Sequence, residues 1–345
     1  MSFKVVQLFD PPGFSGPDYG EMIRQSGIDA EFSKSHCTTE EQIIAAAHDA
    51  DAVIAATSNK NIHNFSREVI DGLAQCRFIM SMGIGYNALD VDAATEKGII
   101  AANVPDYCID EMSDHTMALI LACTRKISTL DRVVRAGSWK QEPDPEIQSS
   151  IWPAMTRLRD QTLGLLGLGR IAQMLVSKAK AFGMRIIAYD PYIDPKTIDS
   201  LGVEKKELDQ FFAESDILSL HAPLTSETRH MLGLEQFKKM KSSAYIVNTA
   251  RGELIDQEAL CTALQDGILA GAALDVMDPE PINPDNHLLE LENVILTPHS
   301  AHASIPAFIT LMNRPGEEIA RVLKGEWPLG LINPGAKEKF RDRWG

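Results

Sequence analysis

The sequence predicts an α/β protein built from two doubly wound, parallel-sheet domains, and three observations predict it. Short apolar segments alternate with amphipathic ones along most of the chain, the pattern that covers a parallel sheet with helices on both faces. The 345 residues are enough for two domains at about 150 residues each, with a sizeable core in both. A nearly all-apolar helical stretch and a Gly/Trp/Pro-rich excursion interrupt the alternation after Pro105 and divide it into two series.

In the first series, Lys4–Phe9 reads as a strand and Asp18–Gln25 as a helix. Glu31–Ser35 is a weaker strand, and Thr38 with Glu41 makes a capping box that opens a helix running through His48. Ala52–Ala55 is an apolar strand, Ser66 caps a helix to Ala74, and Arg77–Ser81 is the next strand. Asp90–Lys97 is helical, and Ile99–Val104 closes the series at Pro105. One long helix is expected from Asp110 to about Ala136; with so little polar face it must be buried, between the domains. Residues 137–161 read as an excursion.

The second series gives strands at Thr162–Leu166, Arg185–Tyr189, Ile217–Leu220, Ala244–Asn248, Gly271–Val276 and Val294–Leu296, mostly separated by helices. Six strands are the count of a dinucleotide-binding sheet. A last helix, Ala307 to about Lys324, precedes a Pro/Gly-rich end. Pro105 and Pro298 each follow a strand end and are read as crossing points. The expected domains are therefore residues 1–105 with 300–345, and residues 106–299 inserted between them.

Composition narrows the function. Thirty-three Lys and Arg against 48 Asp and Glu give a net charge of −15, which argues against nucleic-acid and anionic-membrane partners, since both need a basic footprint. No apolar run reaches the length of about 18 residues that a membrane span needs; Met117–Cys123 is too short. The start has no signal-peptide layout, and five widely spaced cysteines without a CxxC pair indicate neither a disulfide framework nor a metal site. A cytoplasmic protein is expected.

Two loops fit G-x-G-x-x-A: Gly83-Ile84-Gly85-Tyr86-Asn87-Ala88 and Gly167-Leu168-Gly169-Arg170-Ile171-Ala172. Context separates them. Gly167 follows a strand directly and a helix begins at once, so a pyrophosphate can sit on the positive end of that helix. The next strand ends at Asp190, 21 residues past Gly169, where a ribose-binding carboxylate is expected. The first loop is followed by a delayed helix and by Asn103-Val-Pro105, with no such acid. The cofactor is therefore assigned to the second loop, and Asp190 favours NAD over NADP because a carboxylate repels a 2′-phosphate. The alternative for Asp190 is a turn former ahead of Pro191.

Three polar residues follow the ends of later strands, where ligands gather in an open α/β sheet. Arg251 comes after Tyr245–Asn248, Glu280 after Gly271–Val276, and His299 after Val294–Leu296. Each alone is ordinary as a solvated charge or loop residue. Together they suit hydride-transfer chemistry: a guanidinium fork for a carboxylate, an imidazole that gives or takes the proton, and a carboxylate that fixes the imidazole tautomer.

With these motifs in order, the sequence resembles the D-isomer-specific 2-hydroxyacid dehydrogenases. The resemblance rests on Gly83–Asp90, Asn103–Pro105, Thr162–Ile171, His221–Thr225, Asn248–Gly252, Leu274–Val276 with Glu280-Pro281, and Thr297–His299. It implies a flavodoxin-like substrate domain and a Rossmann NAD-binding domain with a cleft between, and a homodimer formed through the nucleotide domain. It implies catalytic roles for Arg251, Glu280 and His299, and a cofactor site of Thr116, Gly167, Gly169, Arg170, Ile171, Asp190, Pro223, Thr228, Thr249, Ala250 and Asp275. Asp275 would hold the nicotinamide amide, and no metal is called for. The backbone of Gly83, Ile84 and Gly85 would bind the substrate carboxylate, and Tyr86 is read as a residue of the substrate pocket.

Arg157–Gly164, Lys180–Gly183 and Asp190–Tyr192 look closest to the C-terminal-binding-protein-like branch of that family. That branch includes NAD-binding co-repressors, which carry a Trp at the position of His302. Two functions therefore stand: an NAD-dependent oxidoreductase acting on a small D-2-hydroxy acid or 2-oxo acid, and an NAD(H)-sensing, co-repressor-like scaffold with little turnover. His302 either contacts substrate or lines the cleft.

Overall fold

A computed structural model describes residues 2–10, 16–57, 62–139, 145 and 147–345. The chain forms two compact units, Met1–Tyr107 with Ser304–Gly345, and Cys108–Ala303.

The first unit runs β1 (Phe3–Gln7), α1 (Tyr19–Gln25), β2 (Ala30–Lys34), α2 (Glu40–Ala47), β3 (Ala52–Ala55), α3 (Arg67–Gly72), β4 (Phe78–Ser81), α4 (Val91–Glu96) and β5 (Ile100–Ala102). Its five parallel strands lie in the order β2-β1-β3-β4-β5, the flavodoxin-like order. β3 and β4 are buried at every position because helices cover both faces. The α2 cap lies one residue later than its sequence pattern suggests. Thr39 accepts from the Gln42 N–H at 3.3 Å, and the Gln42 side chain accepts from the Thr38 N–H at 2.8 Å. Gln42 can close the box as well as Glu41 can, and only the helix start decides between the two registers.

The second unit runs α5 (Ile109–Thr124), α6 (Ile127–Arg135), β6 (Thr162–Leu166), α7 (Arg170–Ala181), β7 (Arg185–Tyr189), α8 (Pro195–Leu201), β8 (Glu204–Lys205), α9 (Leu208–Glu214), β9 (Ile217–Leu220), α10 (Leu234–Phe237), β10 (Tyr245–Asn248), α11 (Gln257–Gln265), β11 (Gly271–Leu274) and β12 (Val294–Leu296). The strand order β12-β11-β10-β9-β6-β7-β8 is the Rossmann order with one strand added beyond β11. The sheet thus has seven strands, not six. The strand absent from the sequence reading is β8, two exposed residues at the edge with no apolar signal.

The expected single helix from Asp110 to Ala136 is two helices. Lys126 takes φ 54° and breaks the run between α5 and α6. The apolar middle of α5, Met117, Leu119, Ile120 and Cys123, packs with α7 residues Ala172, Leu175, Val176 and Ala179 on one face of the sheet. Phe211, Phe212, Phe237, Leu260 and Leu264 cover the other face. α6 buries no residue. Residues 140–144 and 146 of the expected excursion lie outside the described residues.

The chain then returns to the first unit as α12 (Ile305–Leu323) and α13 (Lys337–Trp344). The returning tail lies along β5, with the Asn103 N–H donating to Gly330 O at 3.0 Å and the Ala101 N–H to Asn333 Oδ1 at 2.8 Å. That cover satisfies a sheet edge that would otherwise present open backbone groups. Among the described residues, no helix is long and apolar enough to cross a membrane.

Candidate active site

The turn between β6 and α7 is shaped by backbone approach. Gly167 has φ +87°, and a Cβ there would lie 2.8 Å from the Ala222 nitrogen, so a side chain would strike the loop after β9. At Gly169, by contrast, an added Cβ would meet nothing within 4 Å, so the space above the loop is open. Gly169 caps α7 without a side chain, leaving the first-turn N–H groups of Arg170 and Ile171 for an anion.

Asp190 forms the turn weighed for it and also braces the glycine loop. Oδ1 accepts from the N–H groups of Tyr192 at 2.9 Å and Ile193 at 3.1 Å, forming a turn. Oδ2 accepts from the Leu168 N–H at 2.8 Å and so ties the glycine loop to the end of β7. A carboxylate has about four acceptor positions, so one on Oδ2 is left for a ribose hydroxyl. Pro223 and Thr228 close the loop after β9 together, with Thr228 Oγ1 donating to Pro223 O at 2.7 Å. Beneath that loop, His221 Nε2 lies 2.9 Å from Ser219 Oγ, and burial pushes its imidazole down to about 4.

β10, β11 and β12 are adjacent, so the loops that leave them are neighbours. Asn248 braces the first loop: its Oδ1 accepts from the Ala250 N–H at 3.0 Å and its Nδ2 donates to Arg251 O at 2.8 Å. Arg251 Nη1 donates to Ala250 O at 2.6 Å. Gly252 has no room for a Cβ, which would sit 2.0 Å from Met277 O. This contact presses the Arg251 loop onto the loop carrying Glu280. Thr249 Oγ1 lies 2.9 Å from Thr116 Oγ1, both buried; since Thr116 gives its proton to Met112 O, Thr249 is the donor.

His299 Nδ1 lies 2.8 Å from Glu280 Oε2, and Glu280 Oε1 accepts from the Met277 N–H at 3.1 Å. An ionised carboxylate only accepts, so Nδ1 carries hydrogen and Nε2 is the nitrogen left open to other partners. The His299 side chain is 47% exposed and Glu280 25%, which leaves the ring reachable and its partner shielded. His302 stands edge-on to His299, with ring centroids 6.0 Å apart. Burial first, then the charge of His299, pushes the His302 imidazole below its usual range.

The loop that carries His299 is held from below by Asp275. Its side chain is 1% exposed. Oδ1 accepts from Thr297 Oγ1 at 2.5 Å and the Ser300 N–H at 2.9 Å, and Oδ2 from the Ala301 N–H at 2.9 Å. The Asp275 carbonyl takes the His299 N–H at 2.8 Å. His299 itself has φ 50°, a left-handed conformation that costs a non-glycine residue about 1–2 kcal/mol and is sustained by these bonds.

The first unit carries the other glycine loop. Its carbonyls turn inward: Gly83 O accepts from the Val104 N–H at 2.9 Å, Ile84 O from Asn103 Nδ2 at 2.6 Å, and Gly85 O from Ser81 Oγ at 3.3 Å. Among the described residues no acceptor takes the N–H groups of Gly83, Ile84 or Gly85. The loop is thus a nest of donors of the kind that holds anions. Tyr86, beside it, is exposed.

Residues 117–301 match the family model of the D-isomer specific 2-hydroxyacid dehydrogenase, NAD binding domain. The chain is 38% identical over 291 residues to a glyoxylate reductase of Korarchaeum cryptofilum, covering 84% of this chain and 85% of that one. The chain belongs to the D-isomer-specific 2-hydroxyacid dehydrogenase family.

This dehydrogenase is also 40% identical over 296 residues to a D-3-phosphoglycerate dehydrogenase of Methanocaldococcus jannaschii, covering 86% of this chain and 54% of that longer one. Among solved structures it resembles the holo form of Rhodotorula graminis D-mandelate dehydrogenase, with TM-score 0.85, 30% identity, and cover of 96% and 98% of the two chains. It is an NAD-dependent enzyme of 2-hydroxy-acid and 2-oxo-acid hydride transfer. The observed glycine loop fits the dinucleotide: open space above Gly169, unpaired helix N–H groups, and one remaining acceptor on Asp190. Among the described residues no cluster of His, Cys, Asp and Glu is placed to hold a metal ion.

Two parts of this site were not legible in the sequence. Thr297 and Asn248 act through side chains that brace loops, and their motifs showed only as strand-end polar residues. The bracing role of Asp275 was hidden because its partners lie 22 to 26 positions away.

Proposed function

We propose that this dehydrogenase reduces a small 2-oxo acid to the D-2-hydroxy acid with NADH, with His299 as acid–base, Glu280 as its partner and Arg251 as carboxylate ligand. The observation that carries the proposal is the His299–Glu280 pair at 2.8 Å, which leaves Nε2 free of Glu280 and able to exchange a proton.

Gly167, Gly169, Arg170 and Ile171 hold the pyrophosphate in this reading, and Asp190 the adenosine ribose. Pro223 and Thr228 flank the adenosine side; Thr116, Thr249, Ala250 and Asp275 serve the nicotinamide side. When bound, the nicotinamide supplies the hydride. Arg251 binds the carboxylate through its planar fork and polarises the neighbouring carbonyl. His299 Nε2–H gives its proton to the oxygen as that oxygen gains charge, and Glu280 supports the imidazolium while it lasts. His302 contacts the rest of the substrate. The donors at Gly83, Ile84 and Gly85 give the first unit a carboxylate-binding surface of its own.

Glyoxylate leads the candidate substrates, supported by the reductase relative. NAD is preferred over NADP because the Asp190 carboxylate repels a 2′-phosphate. The five cysteines form no disulfide, which supports a reducing, cytoplasmic setting. A homodimer through the second unit is supported by Ile127, Val134 and the 75%-exposed Trp139, all on or just after α6, which buries nothing.

The deciding experiment is NADH oxidation against glyoxylate, pyruvate, hydroxypyruvate and phenylpyruvate. Turnover of at least one is expected. Tight NADH binding with no turnover of any would favour an NAD(H)-sensing scaffold.

A further inference from the structure

α5 lays two consecutive polar residues across the carboxyl ends of the second unit's sheet. Thr116 meets Thr249 after β10. His115, its neighbour, reaches the loop after β12: Nε2 is 3.2 Å from Thr297 Oγ1 and 3.7 Å from Asp275 Oδ1. The single hydroxyl proton of Thr297 is directed to Asp275 Oδ1 at 2.5 Å. Thr297 can therefore only accept from His115, which fixes the His115 ring as the Nε2–H form. The result is a directed chain of hydrogen bonds, His115 to Thr297 to Asp275.

That chain ends on the group that sets the shape of the acid–base loop. Asp275 holds the Ser300 and Ala301 N–H groups with its carboxylate and the His299 N–H with its carbonyl. If the carboxylate turns, the left-handed turn at His299 loses its support. His115 is 26% exposed, so an aliphatic residue would fill the position; what histidine adds is the directed N–H.

We propose that His115 is a positioning residue for the acid–base histidine, acting through Thr297 and Asp275 to hold His299 in its left-handed turn. This rests on reading His299 as the acid–base group.

The test uses the full-length protein and four variants: H115L, H115Q, T297V and T297V/H115L. Glutamine keeps an N–H near the position of Nε2; leucine and valine remove a link each. For H115L, kcat for 2-oxo-acid reduction should fall by about 10-fold to 10²-fold, the range expected when a catalytic group is misplaced by about an ångström. NADH affinity, read by fluorescence, should be unchanged, and H115Q should stay near wild type. In the T297V background H115L should add no further loss, because the chain is already cut. The ring signals of His299, followed by nitrogen-15 NMR beside those of His302 and His115, should move in H115L and not in H115Q.

Wild-type kcat with unmoved His299 signals in H115L would overturn the proposal. So would a loss confined to NADH affinity, or the same loss repeated in the T297V background. Moved His299 signals with an unchanged rate would keep the positioning role and sink the acid–base reading instead. Should H115L not fold, T297S against T297V carries the test: the serine must restore the rate, and equal rates in the two overturn it.

Discussion

The imidazole of His299 and the carboxylate of Glu280 meet at 2.8 Å through Nδ1 and Oε2, although 19 residues separate them and they leave different strands. The contact assigns the tautomer and leaves Nε2 as the nitrogen that the proposed proton transfer uses. Replacing His299 by Ala should lower turnover by about 10²–10⁴-fold, the usual worth of a general acid–base, with NADH affinity retained. E280Q keeps an acceptor and loses the charge; a charge-assisted bond worth about 1.5–3 kcal/mol corresponds to about 10- to 10²-fold in rate. Steady-state kinetics on both variants check this, and an active H299A removes His299 from the mechanism.

Asp190 to Ser should weaken NADH binding and narrow the preference over NADPH. Two effects combine, because the carboxylate is the proposed ribose ligand and also holds the Leu168 N–H of the glycine loop. Titrating both nucleotides by fluorescence separates them. Equal weakening of both would mean that only the loop support was lost and that Asp190 does not select the ribose.

Gly252 to Ala should destabilise the second unit, since the new methyl would meet Met277 O at 2.0 Å and Met277 C at 2.1 Å. Overpacking of this kind costs about 1–3 kcal/mol, and backbone yields less readily than a side chain. Urea unfolding gives the stability. In whatever fraction folds, kcat should drop as the Arg251 loop moves; an alanine variant with native stability and rate would show that the two loops are not pressed together.

Acid should weaken the fold through His221. Its imidazole sits at about 4 when folded, against about 6.5 when unfolded. The folded state binds fewer protons in that interval, so stability is whole above about pH 6.5 and is lost as the pH falls toward 4. The residue keeps some exposure, so the contribution is set at about 2 kcal/mol rather than the full shift. Denaturant unfolding at pH 7, 5.5 and 4.5 should show a smaller loss in H221Q than in wild type. Parallel slopes would mean that another group carries the acid sensitivity.

Much of this protein was readable from residue order alone, where the signal is local. Alternating apolar segments gave the α/β class, and Gly167 with Gly169 marked the turn because a strand ended and a helix began on either side. Arg251, Glu280 and His299 stood out because each follows an apolar run. The break at Lys126 was invisible for the opposite reason: the apolar pattern continues across it, and only one residue changes its backbone angle. β8 was missed because an exposed two-residue edge strand needs no apolar residue.

The sequence by itself determined the two series of strands and helices, the cofactor loop and the types of residue offered at the strand ends. Tertiary structure decided which of those residues meet. His115 lies 182 positions from Thr297, and Asp275 lies 22 from Thr297 and 26 from Ala301. No local preference encodes such pairings. They exist because the strand order places the ends of β10, β11 and β12 side by side, and because a buried carboxylate must find donors wherever the packing leaves them.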